Sequence, residues 1–270
     1  MKSNIVRNVV ITGGTSGIGK ACAEYFASKG DNVIVLARKN PEQLQNFYAC
    51  DVTNEEQVMK VFNEIGSKYT QIDVLINNAG YGISGAIELI DDKTTKDLFN
   101  VNYFGVVNCY KYALPYMVKG STIINVSSAC ALFAVPFRGH YCASKAAVNM
   151  LTFSQRMECK PFGVKVTAVC PGEVKTNFTK SRVKVFDTND RYGDRIENAT
   201  NKIDGREDKR MSPEKVAKVI YKQSLSKNPK PYVIVGAKYK FLNFAMRFLP
   251  LSLLIKFTSK IFGGNKNPKK

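Results

Sequence analysis

What this chain lacks narrows it first. Its 270 residues contain one histidine, His140, so a histidine-rich metal site is excluded and a His-based catalytic triad would have to use that residue. The seven cysteines are odd in number and include no C-x-x-C pair, which fits small core thiols in a reducing cytosol rather than a disulfide framework. There is no internal repeat and no Pro/Gly/Ser-rich linker, so a single α/β domain with a large core is expected. No signal peptide is recognisable, because the segment before the first glycine turn itself reads as a strand. Acidic residues stop at Glu214. Positions 215–270 hold thirteen Lys or Arg and carry +13 of the formal +18, leaving 27 basic against 22 acidic residues before them. Such a tail suits an anionic surface. No nucleic-acid reading motif accompanies the lysines, so nucleic acid is not an expected partner.

What is present begins with Val9-Val10-Ile11, a buried-strand pattern, followed directly by Thr12-Gly13-Gly14-Thr15-Ser16-Gly17-Ile18-Gly19 and then a helical stretch. Strand, glycine turn and helix in this order make a phosphate site: glycine allows close backbone approach, and the helix N-terminus offers unpaired N–H groups. The spacing is G-x-x-x-G-x-G, not the general G-x-G-x-x-G fingerprint. Further along, Tyr141 and Lys145 lie four apart in a helical pattern and so share one face. An ammonium beside a phenol favours the phenolate and lowers its pKa, giving an acid–base group without metal or histidine. Ser128, thirteen residues before Tyr141, follows the apolar run Ser121–Val126 and offers a hydroxyl to hold a substrate oxygen. Alternation along that strand points Ser127 the other way. His140 reads as a bystander, and all seven cysteines as structural.

Taken together, these elements resemble the short-chain dehydrogenases/reductases over about residues 6 to 178. The other matching parts are Asp51 in Cys50-Asp51-Val52-Thr53, Asn77-Asn78-Ala79-Gly80, Asn102 in Val101-Asn102-Tyr103-Phe104-Gly105, and Pro171-Gly172-Glu173-Val174-Lys175-Thr176. The resemblance implies a Rossmann-like doubly wound parallel sheet and a nicotinamide cofactor held by Gly13, Thr15, Ser16, Gly17, Ile18 and Gly19. It also implies that Asp51 bonds the adenine, Val52 packs on it, and Asn78, Ala79 and Gly80 line the adenosine and ribose side. Pro171 and Gly172 would pass beneath the nicotinamide, with Val174 and Thr176 at its carboxamide. Ser128 would bind the substrate carbonyl and Tyr141 would donate the proton. Lys145 would tune Tyr141 and bond the ribose, and Asn102 would kink its helix and hold a water leading to Lys145. Where the family's NAD-selecting acid would stand, this chain has Ala37, followed by Arg38 and Lys39. A guanidinium grips a 2′-phosphate that an acid would repel, so Arg38 points to NADP(H).

Strands are expected near 6–11, 32–36, 73–76, 121–126, 164–169 and 231–235, with helices near 17–29, 54–68, 94–118 and 139–160. The polar stretch 179–211 reads either as a substrate lid or as a plain surface loop. Residues 236–270 form a basic extension, in which Lys240, Asn243 and Arg247, then Ser252, Lys256, Ser259 and Lys260, make polar stripes on two short amphipathic helices split by Pro250. These helices either lie in a membrane interface, border a lipophilic entrance, or pack on the body or a partner subunit. The resemblance extends to the hydroxysteroid, retinol and acyl-dihydroxyacetone-phosphate branches and implies a bulky lipophilic substrate, a steroid first. A 3-oxoacyl or acyl-dihydroxyacetone-phosphate reductase is the alternative enzyme. An NADP(H)-binding sensor or scaffold is the alternative of another class, disfavoured because a sensor needs no proton donor. A cytoplasmic homodimer or homotetramer, peripheral at a membrane surface, completes the expectation.

Overall fold

The computed structural model describes residues 6–179, 181–186, 191–205 and 210–263. The chain runs β1 (Asn8–Thr12), α1 (Gly17–Ala27), β2 (Asn32–Ala37), β3 (Phe47–Ala49), α2 (Glu55–Tyr69), β4 (Val74–Asn77) and β5 (Ile83–Ser84). It continues through α3 (Asp92–Phe99), α4 (Gly105–Ala113), β6 (Thr122–Val126), α5 (Gly139–Glu158), β7 (Lys165–Pro171) and β8 (Val183–Lys184). It closes with α6 (Arg195–Asp204), α7 (Pro213–Leu225), β9 (Tyr232–Val235), α8 (Ala237–Ala245) and α9 (Leu251–Phe262).

Seven strands form one parallel sheet in the order β3-β2-β1-β4-β6-β7-β9. The chain builds outward from β1 to β3, then returns through α2 to β4 on the other side of β1. Connections therefore leave the C-terminal ends of β1 and β4 in opposite directions, and a crevice opens between them. Every residue of β4 and β6 is buried, as a parallel sheet covered on both faces requires. Alternate strand residues serve opposite layers. Val10, Leu75 and Ile123 pack with Phe62 and Ile65 of α2 and Cys109 of α4. Val9, Ile11 and Ile76 pack with Phe26 of α1 and Ile220 of α7.

Three sequence expectations need correction. The single helix expected over 94–118 is α3, a π-helical turn at Asn100–Phe104, α4, and a 3-10 turn at Leu114–Tyr116. The wide turn turns Asn102 fully inward; a local insertion of this kind leaves the polarity pattern nearly unchanged, so periodicity misses it. The stretch 179–211 is more ordered than either reading of it. β8 pairs with β5, Val174 bridges Met211, and α6 buries Ile196, Ala199 and Ile203 at helical spacing. Residues 180, 187–190 and 206–209 of that stretch, and 264–270 of the C-terminal extension, lie outside the described residues. The short strands β3, β5 and β8 also went unanticipated, being two or three residues long. α8 and α9 are the two amphipathic helices expected on either side of Pro250. Among the described residues, no helix is long and apolar enough to cross a membrane.

Candidate active site

The crevice between β1 and β4 is closed at its base by one hydroxyl. Thr12, the last residue of β1, accepts through Oγ1 from the backbone N–H groups of Asn78 (2.9 Å) and Ala79 (3.0 Å). Asn78 Nδ2 returns two bonds, to the carbonyls of Thr12 (3.1 Å) and Gly13 (3.2 Å). This clamp was not singled out in the sequence. A hydroxyl at a strand end directly before a glycine turn was its only signal. Closeness explains the glycines. Gly13 has φ +65°, and a Cβ there would come within 3.1 Å of both Ala79 Cα and Asn78 Nδ2. A Cβ on Gly19 would collide with the Gly13 carbonyl. Gly17, at φ +52°, lies against Thr176, so the glycine turn also meets the segment after β7. Ser16 is the N-cap of α1 and makes no side-chain capping bond, leaving the helix N-terminus open to an acceptor. The cradle fits a dinucleotide pyrophosphate.

One continuous cleft carries on from this cradle. Of the residues expected in the site, Gly13, Ser16, Gly17, Ile18, Asn78, Ala79, Gly80, Ser128, Tyr141, Lys145, Pro171, Gly172, Val174 and Thr176 line it. Thr15, Gly19, Arg38, Asp51, Val52 and Asn102 are outside that lining. Gly19 lies behind the turn. Arg38 is exposed just beyond β2, and among the described residues no ion pair engages it. Asp51 accepts from the N–H and hydroxyl of Thr53. Val52 packs on Gly105, and its carbonyl accepts from Asn108. Asn102 clamps the backbone of Tyr81 with two 3.0 Å bonds and donates to Ser144 Oγ at 3.1 Å. A Cβ on Gly80 would reach 2.9 Å from Asn102 Oδ1 and 3.4 Å from Lys145 Nζ, which brings these two groups around one glycine.

The two serines separate as alternation requires. Ser127 donates to the Lys145 carbonyl inside α5, whereas Ser128 caps the turn at Cys130 and bonds the Tyr141 hydroxyl. Tyr141 itself departs from expectation. Its phenol is held above its ordinary value, burial being the largest cause and the nearby Cys130 adding to it, while the Ser128 bond and Arg138 pull the other way. The Lys145 ammonium, buried and donating to the Val126 carbonyl at 3.0 Å, is itself pulled down to about 8 by burial. Spacing along a helix cannot anticipate this, because desolvation penalises both charged forms at once. The phenol therefore stays protonated at neutral pH and is suited to donate.

Residues that were not anticipated complete the cleft. The Phe178 ring lies 5.7 Å from that of Tyr141. Phe133 stacks on Tyr239 of α8 and Phe262 of α9, with centroids 6.3 and 6.2 Å apart. Arg138, Arg182 and Arg210 line the same end. All seven cysteines are free thiols, and Cys130 lines the cleft, its thiol held below its ordinary value, chiefly by Cys142. His140 makes a 3.5 Å contact with the Ile87 carbonyl.

The depressed Lys145 leaves a measurable trace. Between about 8 and its unfolded value of 10.5 the unfolded chain binds a proton that the folded chain has released, so stability rises with pH across that window. The expected slope is about 1.4 kcal/mol per pH unit at most, and it should vanish in Lys145→Met, which should also be the more stable protein below pH about 8. Urea unfolding of both proteins from pH 7 to 10 checks this, and equal slopes would overturn the assignment.

Comparison with known proteins agrees with this geometry. The sequence pattern of the short chain dehydrogenases matches residues 7–185. A 3-ketodihydrosphingosine reductase from Bacteroides thetaiotaomicron is 37% identical over 227 residues, covering 82% of this chain and 84% of the relative. The solved structure of ElxO with NADP bound is 29% identical and superposes with a TM-score of 0.72, covering 88% of this chain and all (100%) of that one. A short chain dehydrogenase from Burkholderia phymatum in complex with NAD shares the fold at 21% identity, with a TM-score of 0.77 over 92% of this chain and 96% of its own. With its glycine cradle, its Ser-Tyr-Lys cleft and this match, the chain belongs to the short-chain dehydrogenases, oxidoreductases that use nicotinamide dinucleotides.

Proposed function

We propose that this protein is an NADP(H)-dependent reductase of a ketone on a bulky lipophilic substrate, acting at a membrane surface. One observation carries the reading: the glycine cradle and the Ser128–Tyr141–Lys145 group open into a single cleft whose far wall is aromatic, with Phe133, Phe178, Tyr239 and Phe262. A reduced nicotinamide, when bound, supplies hydride to the carbonyl carbon. Ser128 and Tyr141 bracket the carbonyl oxygen with two hydroxyls. Tyr141 gives up its proton as negative charge develops there, and Lys145, buried beside Gly80, offers its ammonium to the ribose side and to the phenolate left behind. Asn102 holds the Tyr81 backbone, and with it the Gly80 turn, against Lys145; a water linking Asn102 to Lys145 belongs to the same proposal. Asp51 and Val52 serve the adenine, and Arg38 the 2′-phosphate.

The likeness to the 3-ketodihydrosphingosine reductase supports a long-chain keto lipid as substrate. A 3-oxosteroid or other hydroxysteroid partner, a 3-oxoacyl thioester and acyl-dihydroxyacetone phosphate are the competing substrates. Proton donor and hydride cradle in one cleft weigh against a sensor or scaffold.

The membrane reading rests on α8 and α9. Their inner side chains, Tyr239, Leu242, Leu254 and Phe262, are buried, yet Phe241 and Phe248 are each 73% exposed and Leu251 69% exposed. Lys240, Arg247, Lys256 and Lys260 accompany them without a single acid. Apolar side chains facing outward among cations match an anionic bilayer interface, in the cytoplasm by the chain's thiol usage. Exposed Phe104, Met150 and Met157 elsewhere support assembly into a homodimer or homotetramer.

Tyr141→Phe should cut turnover of the best ketone by 10² or more while leaving NADPH binding intact. NADPH oxidation with a 3-keto sphingoid base, a ketosteroid, a 3-oxoacyl thioester and acyl-dihydroxyacetone phosphate ranks the substrates; a variant keeping about a tenth of the rate would remove Tyr141 as the donor. Arg38→Asp should move kcat/KM toward NADH, and a wild type that already prefers NADH would overturn the 2′-phosphate role. Phe241→Ser, Phe248→Ser and Leu251→Ser combined should abolish sedimentation with anionic vesicles without lowering the thermal midpoint. Wild-type protein that ignores such vesicles at low salt would refute membrane docking.

A further inference from the structure

Among the described residues, the substrate end of the cleft gathers more positive than negative charge. Arg182 donates to Asp204 Oδ1 at 2.8 Å, Lys184 lies 2.7 Å from Asp204 Oδ2, and Arg138 Nη2 stands 4.0 Å from the same carboxylate. Three cations thus share one acid. The Arg182 side chain is only 5% exposed and that of Arg138 11%, so water compensates them poorly, and burying unmatched charge is costly. Arg138 Nη2 is buried and has no hydrogen-bond partner among the described residues. Arg210 is not a further claimant on an outside acceptor, since its guanidinium already donates to Thr179 Oγ1 and to the carbonyls of Ile203 and Asp204. Glu173, the one acid among the described lining residues, faces Tyr239, and with Asp204 it sets two acids against Arg138, Arg182, Lys184 and Arg210, so positive charge stays in excess among the described residues. Arg138 also begins the α5 turn that carries Tyr141 three residues on, and it acts electrostatically on the Tyr141 phenol.

We infer that Arg138 and Arg182 form an anion subsite, so that the ketone lipid reduced here carries a phosphate or carboxylate close to its carbonyl. This rests on the ketone-reductase reading and sharpens it. The unpartnered Arg138 Nη2 and the guanidinium of Arg182, whose acid is shared with two other cations, favour the dianion of a phosphate ester, because each offers N–H donors to its oxygens. The same wall repels a substrate bearing a free ammonium, so among the ketones named above it favours acyl-dihydroxyacetone phosphate over a 3-keto sphingoid base. It lies at the Ser128–Tyr141 end of the cleft, away from Arg38, so it does not duplicate the cofactor's phosphate site.

Octyl phosphate, octanoate, octanol and octylamine, titrated calorimetrically into the NADPH-loaded protein, separate the outcomes. Octyl phosphate should bind at least tenfold more tightly than octanol, with octanoate between them and octylamine weakest. Arg138→Gln should weaken octyl phosphate about tenfold to a hundredfold, the effect of losing a hydrogen bond to a charged group, and leave octanol unchanged. Arg138→Lys should retain part of the affinity, as a point charge without the paired donors. Octanoate matching octyl phosphate would assign a carboxylate instead. Octyl phosphate no better than octanol, tightest binding by octylamine, or equal losses of both ligands in Arg138→Gln would each overturn the subsite. Octyl phosphate binding without turnover of any ketone would remove the reductase reading and leave the subsite standing.

Discussion

The bond from the Asn78 and Ala79 N–H groups to Thr12 Oγ1 is the constraint on which the site depends. A doubly wound sheet must separate its chain connections where the strand order reverses, and here that happens between β1 and β4. Left open, the two strand ends would expose unpaired backbone groups in a buried region. One threonine hydroxyl and one asparagine amide satisfy them and hold the two turns at contact distance. The glycines follow from that distance: Gly13 and Gly19 sit where a Cβ would strike the opposing turn. The cradle for the dinucleotide is the gap that remains.

A second set of polar groups carries the arrangement across the sheet. Asn77 donates to Asn125 at 2.8 Å, and Asn125 donates to Thr152 and Gln155 of α5 at 2.9 Å each, all within the buried layer. Asn102 ties the turn after β4 to Ser144 of the same helix. α5 is thereby oriented by hydrogen bonds as well as by packing, and with it Tyr141 and Lys145, whose side chains project from its inner face. Buried polar networks of this kind tolerate little displacement, since each broken bond leaves an uncompensated group.

Burial also decides the chemistry. Four residues of spacing suggest an ammonium that lowers a neighbouring phenol, yet in the folded protein desolvation raises Tyr141 and lowers Lys145. The site consequently offers a protonated donor and a lysine whose charge is only narrowly retained at neutral pH. The aromatic wall from α8 and α9 deepens that desolvated end of the cleft. The same two helices turn phenylalanines outward, so one element borders the substrate and faces the surroundings.

The main strands, the glycine turn and the Ser128, Tyr141 and Lys145 positions were legible in the sequence because each rests on local rules. Burial on both sheet faces makes apolar runs, a phosphate turn needs glycine, and a helix brings residues four apart onto one side. The choice of Ser128 over Ser127 followed from the family's thirteen-residue gap to the tyrosine, with alternation setting the two hydroxyls on opposite sides. The π turn at Asn102, the Thr12 clamp, the order in 191–205 and the gathering of Arg138, Arg182 and Lys184 around Asp204 were not legible. Arg138 and Asp204 stand at opposite ends of the stretch that holds α5, β7 and α6, and no local pattern marks a contact between them. Side-chain types and their local periodicity were determined by the sequence itself. Which charges share an acid, how far a phenol is desolvated and which aromatic rings close the cleft were decided only by tertiary structure, because these depend on distances between segments remote along the chain.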